Sequence, residues 1–95
     1  MTASTPPETP ELSVIAPCFQ EEANVAELTR RVIAVLDRGA IAGELVLVDD
    51  GSTDATWPAI EALQLEYSGR VVGRRHGRNL GIAAAWKTGE RERAS

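Results

Sequence analysis

Residues 45–56 read "LVLVDDGSTDAT": an apolar run enters two adjacent aspartates, then a glycine and a cluster of small polar residues. A continuous apolar run with β-branched members, Leu45–Val48, is the pattern of a strand buried on both faces. Three uses compete for the acid pair at its mouth: holding a metal, binding part of a ligand, and shaping a turn. Successive strand residues point to opposite faces, so if the strand runs through them Asp49 and Asp50 cannot both turn to the same side. That argues against a two-carboxylate metal clamp made by this pair alone. One aspartate is expected to fix the loop by accepting backbone N–H bonds while the other faces a crevice. Gly51 permits the tight turn, and Ser52 or Asp54 is placed to cap the next helix.

Upstream, "LSVIA" (12–16) is a second apolar run, which stops at Pro17, a residue with no N–H to donate. After the polar loop "CFQEE", Val25, Leu28, Val32, Val35 and Leu36 fall on one face of a helix. Asn24 is its expected N-cap and Gly39 its expected stop. Downstream, a helix is expected from about Asp54 to Leu65, with Trp57, Ile60 and Leu63 on one face and Pro58 in its first turn or so. The third unit is shorter: Val71–Val72 as a strand, "GRRHGRN" as a loop, and Ile82–Lys87 as an Ala-rich helix. Strand then helix, three times over, predicts an α/β fold with a parallel sheet, right-handed crossovers and helices on its faces. Ligands bind such sheets at the carboxyl ends of the strands. All three polar loops, "PCFQEE", "DDGSTD" and "GRRHGRN", fall at that edge.

The 95 residues make one small domain or part of a larger one, and with 4% aromatic residues any core is aliphatic. Residues 1–11, "MTASTPPETPE", lack the basic and apolar regions of a secretory signal and read as a disordered leader; residues 90–95 read as a charged tail. No run approaches the roughly 18–20 apolar residues that span a bilayer. Cys18 is the only cysteine, which excludes an internal disulfide. These features fit a cytoplasmic protein. The net charge of −4 conceals an asymmetry. Residues 1–69 carry 3 basic and 12 acidic side chains, whereas residues 70–95 carry 7 basic and 2 acidic ones. No aromatic residues interleave that basic third at a stacking spacing, so a compact anion such as a diphosphate suits it at least as well as nucleic acid, and a solvated charged surface is the bland alternative.

Other constellations fail on spacing. The Lys87–Thr88 pair lies late in a helix, with Trp86 rather than glycine before it, so it is not a P-loop, and no G-x-G-x-x-G occurs. Arg75 and Arg78 are placed to meet an anion near the start of the third helix, though surface arginines without a ligand are at least equally common. Cys18 and His76 invite reading as a nucleophile and base, but a lone cysteine beside a strand-ending proline is more often a packed residue. No Cys/His pair has the spacing of a zinc site.

Taken together, "LSVIAPCFQEEANV", "ELVLVDDGSTDAT" and "RNLGIAAAWKTG" resemble the N-terminal half of glycosyltransferase family 2, of the GT-A fold, in particular the polyprenyl-phosphate (dolichyl-phosphate) mannose or glucose synthases. The resemblance covers residues 12–89. It implies a Rossmann-like nucleotide-binding half of three β-α units, of which this chain holds a truncated part. By position, it implies that Pro17, Phe19 and Glu21 border the nucleoside of a UDP- or GDP-sugar. Asp50, with Asp49 behind it, would hydrogen-bond the base or ribose, and the Arg75, Arg78 and Asn79 loop would close over the base and approach the diphosphate. Phe19 stands where the family has Tyr, and Gln20 where it has Asn. The resemblance further implies a Mg²⁺ or Mn²⁺ ion on the donor diphosphate, held by an Asp-x-Asp motif beyond the third helix, and a later carboxylate as general base. This chain has no Asp after Asp54, so no catalytic residue and no metal ligand is expected in it. The implied acceptor is a polyprenyl phosphate at the inner face of a membrane. Without a strand beyond the third helix, Leu12–Ala16 is expected to be an exposed apolar edge prone to self-association. Two rivals remain: a non-enzymatic nucleotide-binding or structural fragment, and a receiver-like phosphoacceptor domain, which would need a further Asp at a later strand end.

Overall fold

The computed structural model describes residues 11–92. Six elements alternate along the chain: β1 (Leu12–Cys18), α1 (Val25–Arg38), β2 (Gly43–Asp50), α2 (Thr56–Glu66), β3 (Val71–His76) and α3 (Ile82–Glu92). The strands form one parallel sheet in the order β1-β2-β3. This is the α/β architecture that the alternating pattern predicts.

The central strand explains the layers. Every residue of β2 is buried, and its side chains alternate between two faces. Leu45 and Leu47 pack with Val25, Ile33 and Leu36 of α1 and with Ile60 and Leu63 of α2. Val46 and Val48 pack with Ala85 of α3, supported by Ile15 and Val72. Two helices therefore cover one face and α3 the other. The core is aliphatic on both sides, as the composition requires.

Several boundaries differ from the sequence reading, each for a physical reason. β1 continues through Pro17 to Cys18, because a strand paired on one side loses no ladder bond where proline's donor is missing. β3 extends four residues beyond Val72 and absorbs "GRRH", where the sequence pattern predicts a loop. Its register sets Arg75 against Asp49 and His76 against Asp50, so a basic pair meets the acidic pair and the ladder carries on. Asn24 does sit at the N-cap of α1, but its side chain donates to Glu21 Oε1 (3.2 Å) instead of capping. α2 begins at Thr56, two residues after Asp54, whose carboxylate accepts the Thr56 N–H (2.9 Å). α3 runs on to Glu92, through the first residues of the expected charged tail. The expected leader lies outside the described residues except for Glu11, whose N–H donates to the Ala42 carbonyl (2.6 Å).

Gly89 fixes how closely α3 lies on the sheet. A Cβ there would run into Ile15 Cγ2. Glycine inside a helix costs about 1 kcal/mol relative to alanine in propensity, so the close approach, not the helix, accounts for it. Gly89→Ala is expected to lower stability by roughly 1–3 kcal/mol through overpacking against Ile15, despite the better helix former. A denaturant melt checks this, and an unchanged or raised midpoint would contradict it.

Candidate functional site

The three polar loops meet at the carboxyl edge of the sheet, and the first two are laced together. Gln20 has positive φ (55°), an uncommon conformation for a residue other than glycine. There its backbone N–H donates to Ser52 Oγ (2.8 Å). Its side-chain Oε1 accepts the Thr53 N–H (2.7 Å), while Nε2 donates to Thr53 Oγ1 (3.2 Å). Glu21 N–H donates to the buried Thr56 Oγ1 (2.8 Å), and Ala55 N–H donates to Glu22 Oε1 (2.9 Å). Thr56 also donates its hydroxyl to Asp54 Oδ1. That bond, before the other donors around it, holds the Asp54 carboxyl below the usual range.

The acid pair divides between the two faces of the sheet. Asp49 is fully buried; Oδ1 accepts the Ser52 N–H (3.0 Å) and so shapes the turn. Its Oδ2 has no hydrogen-bond partner, with Arg75 Nε 4.0 Å away. Asp50 binds the third loop. Its Oδ1 accepts from His76 Nδ1 (2.8 Å) and from the Leu80 N–H (2.9 Å), and its Oδ2 accepts the Gly81 N–H (2.9 Å). Burial pushes the Asp50 carboxyl up, but these hydrogen bonds and the histidine outweigh it and hold it below the ordinary carboxylate value. Gly51, at φ +77°, makes the approach possible: a Cβ there would collide with the backbone of Arg78 and Asn79. One glycine therefore serves both the tight turn and the docking of the third loop.

Beside this junction lies a cleft of about 340 Å³ lined by Pro17, Cys18, Phe19, Glu21, Asp50, Asn79, Gly81 and Ile82. Of the expected site residues, Pro17, Phe19, Glu21, Asp50 and Asn79 thus come together. Asp49, Arg75 and Arg78 do not line it. The Arg75 guanidinium lies 5.8 Å from the centre of the Trp57 ring, a cation–π distance. Arg78 is exposed and contributes its backbone to the packing over Gly51.

Cys18 is buried, and its Sγ donates to the Ala16 carbonyl (3.4 Å). Burial, then the charges of Glu21 and Asp49, push its thiol up to about 12. It is a protonated packing residue, not a nucleophile. His76 is not its base; it bridges Asp50 to Thr88 Oγ1 of α3 (2.7 Å). The sequence reading missed Thr56 as a loop fastener and His76 and Thr88 as partners of Asp50; Gln20 was legible only as a departure from the family's Asn in the first loop. The "DD" and "RH" pairs were a readable signal for His76, once β3 is extended into register with β2.

The described residues do not fit a divalent cation. None of their His, Cys, Asp and Glu side chains gather into a group of three that could hold one. Asp49 and Asp50 act on opposite faces, and the oxygens of Asp50 already face N–H donors. No helix among the described residues is long and apolar enough to cross a membrane.

Comparison with known proteins shows the family. The family model described as "Glycosyl transferase family 2" matches residues 13–92. The chain belongs to glycosyltransferase family 2. It is 41% identical over 70 residues to the undecaprenyl-phosphate 4-deoxy-4-formamido-L-arabinose transferase of Shewanella sediminis, covering 74% of this chain and 21% of the relative. The transferase of the same name from Sodalis glossinidius is 30% identical over 86 residues, covering 90% and 26%. The dodecaprenyl-phosphate galacturonate synthase of Rhizobium johnstonii is 49% identical over 51 residues, covering 54% and 15%. The chain therefore spans about a quarter or less of the length of these relatives.

A carboxyl held low in the folded state contributes stability that is complete above its unfolded value, about 4, and is lost as pH falls through the lower folded value. Asp50 is such a group. Asp50→Asn is therefore expected to flatten part of the acid side of the stability-versus-pH profile. A profile below pH about 4 that keeps the wild-type slope would contradict this.

Proposed function

We propose that this chain forms the nucleoside side of the donor site of a family-2 glycosyltransferase, binding a UDP- or GDP-sugar. The observation that carries the reading is the convergence of Pro17, Phe19, Glu21, Asp50 and Asn79, from all three loops, on one cleft. Phe19 is 47% exposed and offers a stacking face for a base. An ionised carboxylate has about four acceptor sites, and Asp50 spends three within the chain. The one left, on Oδ2, suits a base edge with a single N–H. Uracil presents one N–H between two carbonyls, whereas guanine presents adjacent donors, so the arithmetic favours UDP over GDP. The names of the relatives support a polyprenyl phosphate as acceptor, and we propose that the full-length enzyme meets it at the inner face of a membrane. In that reaction an acceptor phosphate oxygen bonds to the anomeric carbon as the bond from that carbon to the diphosphate breaks, and the nucleoside diphosphate leaves.

The chain alone is expected to bind the nucleotide without transferring sugar. No Lys or Arg lines the described cleft and no metal-ligand group gathers among the described residues, and binding without a group on the departing diphosphate adds no transition-state stabilisation. Titration calorimetry should show UDP binding, weaker GDP binding and loss of both in Asp50→Ala. Incubation with UDP-sugar, Mg²⁺ or Mn²⁺ and polyprenyl phosphate should give no turnover above a buffer blank. Absence of UDP binding would sink the donor-site reading. Turnover would sink the reading of inactivity.

We also propose self-association through β1. Among the described residues that strand pairs on one side only, Leu12 is 45% exposed, and a groove lined by Leu12, Val14, Val32, Val35, Leu36 and Ile41, with Arg31 at its side, runs beside it. Such an edge templates pairing with another chain. Sedimentation equilibrium is expected to show oligomers that Leu12→Lys shifts towards monomer. A strictly monomeric wild-type chain would contradict this.

A further inference from the structure

We propose that His76 is a positioning residue for the cleft, holding the Asp50 carboxylate in the orientation that leaves its open acceptor site to the ligand. The inference rests on the donor-site reading. Both ring nitrogens of His76 are engaged: Nδ1 with Asp50 Oδ1 at 2.8 Å and Nε2 with Thr88 Oγ1 at 2.7 Å. The His76 and Asp50 side chains are only 9% and 7% exposed. An ionised Asp50 can only accept, so Nδ1 must carry a proton. In the neutral ring Nε2 then accepts the Thr88 hydroxyl. The neighbours thus select one tautomer.

The three donors to Asp50 are not equivalent. The Leu80 and Gly81 amides lie outside the sheet, in the segment between β3 and α3, where the Gly81 carbonyl accepts the Ala85 N–H (3.1 Å). His76 lies in the sheet. It ends β3, paired in register with Asp50 itself, and its far nitrogen is tied to Thr88 within α3. It is the donor held by sheet and helix together. With the Leu80 amide it fills Oδ1, so the open site falls on Oδ2 of a residue that lines the cleft. Losing the Nδ1 donor frees the carboxylate to rotate and places a free acceptor site on either oxygen.

The test measures UDP affinity of the full chain in three variants. His76→Asn keeps an amide donor near the Nδ1 position. His76→Gln reaches towards Thr88 but has no donor at Nδ1, and His76→Ala has neither. Asn is expected to bind UDP within about threefold of wild type and Gln and Ala about tenfold or more weakly, the scale of one hydrogen bond to a charged group. All three should give dispersed amide spectra of a folded chain. His76 is the only histidine, so its ring nitrogens can be read without ambiguity by ¹⁵N NMR. In the neutral ring Nδ1 should be protonated and Nε2 bare. Equal affinity in all three folded variants, with wild type binding, would overturn this inference alone, as would a neutral ring protonated at Nε2. No UDP binding by wild type would overturn the donor-site reading and this inference with it.

Discussion

A buried carboxylate is costly unless its lone pairs are met by donors, and the Asp50 carboxylate meets that demand with groups from different parts of the chain. His76 comes from the end of β3, the Leu80 and Gly81 amides from the loop before α3, and Thr88 supports the histidine from α3 itself. One side chain thereby sets the loop and the helix in register with the central strand. The packing of α3 through Ala85 and Gly89 supplies the apolar half of the same attachment. Neither half would define the cleft alone, because apolar contact fixes depth but not the path of the loop.

Asp49 performs the complementary task on the other face. It holds the turn through the Ser52 amide, and that turn carries Ser52, Thr53 and Thr56 to the first loop. The doubled aspartate therefore arises from having two loops to hold on two faces of one strand, not from a need for paired charge at one point. Gly51 between the two tasks keeps the third loop's backbone close. The cleft walls are loops, but each loop is fastened to a strand end, which is how a mobile kind of segment can present a defined surface.

The layer order, the parallel sheet and the edge at which the loops gather were legible from the apolar runs and their alternation with helical spacing. The split of Asp49 and Asp50 between faces was legible from strand geometry alone. The end of β3 was not, because "GRRH" has no apolar signal; its place in the ladder depends on pairing with β2, a contact distant in sequence. For the same reason Arg75 read as a phosphate ligand when it lies over Trp57 near Asp49. Asn24 read as a cap from its residue type, but Glu21 offered its side chain a partner three residues away. Gln20 was legible as a departure from the family's Asn, but its bonds to Thr53 and its positive φ were not, since residue type does not announce them.

Three fastened loops are proposed to make one nucleoside cleft. Titrating UDP into the ¹⁵N-labelled chain and mapping the amide shifts tests it most directly. The account predicts saturable changes clustered at Cys18–Glu21, Asp50–Gly51 and Asn79–Ile82, with the groove beside Leu12 and Val35 unmoved. Changes confined to that groove, or shifts scattered without saturation, would contradict it.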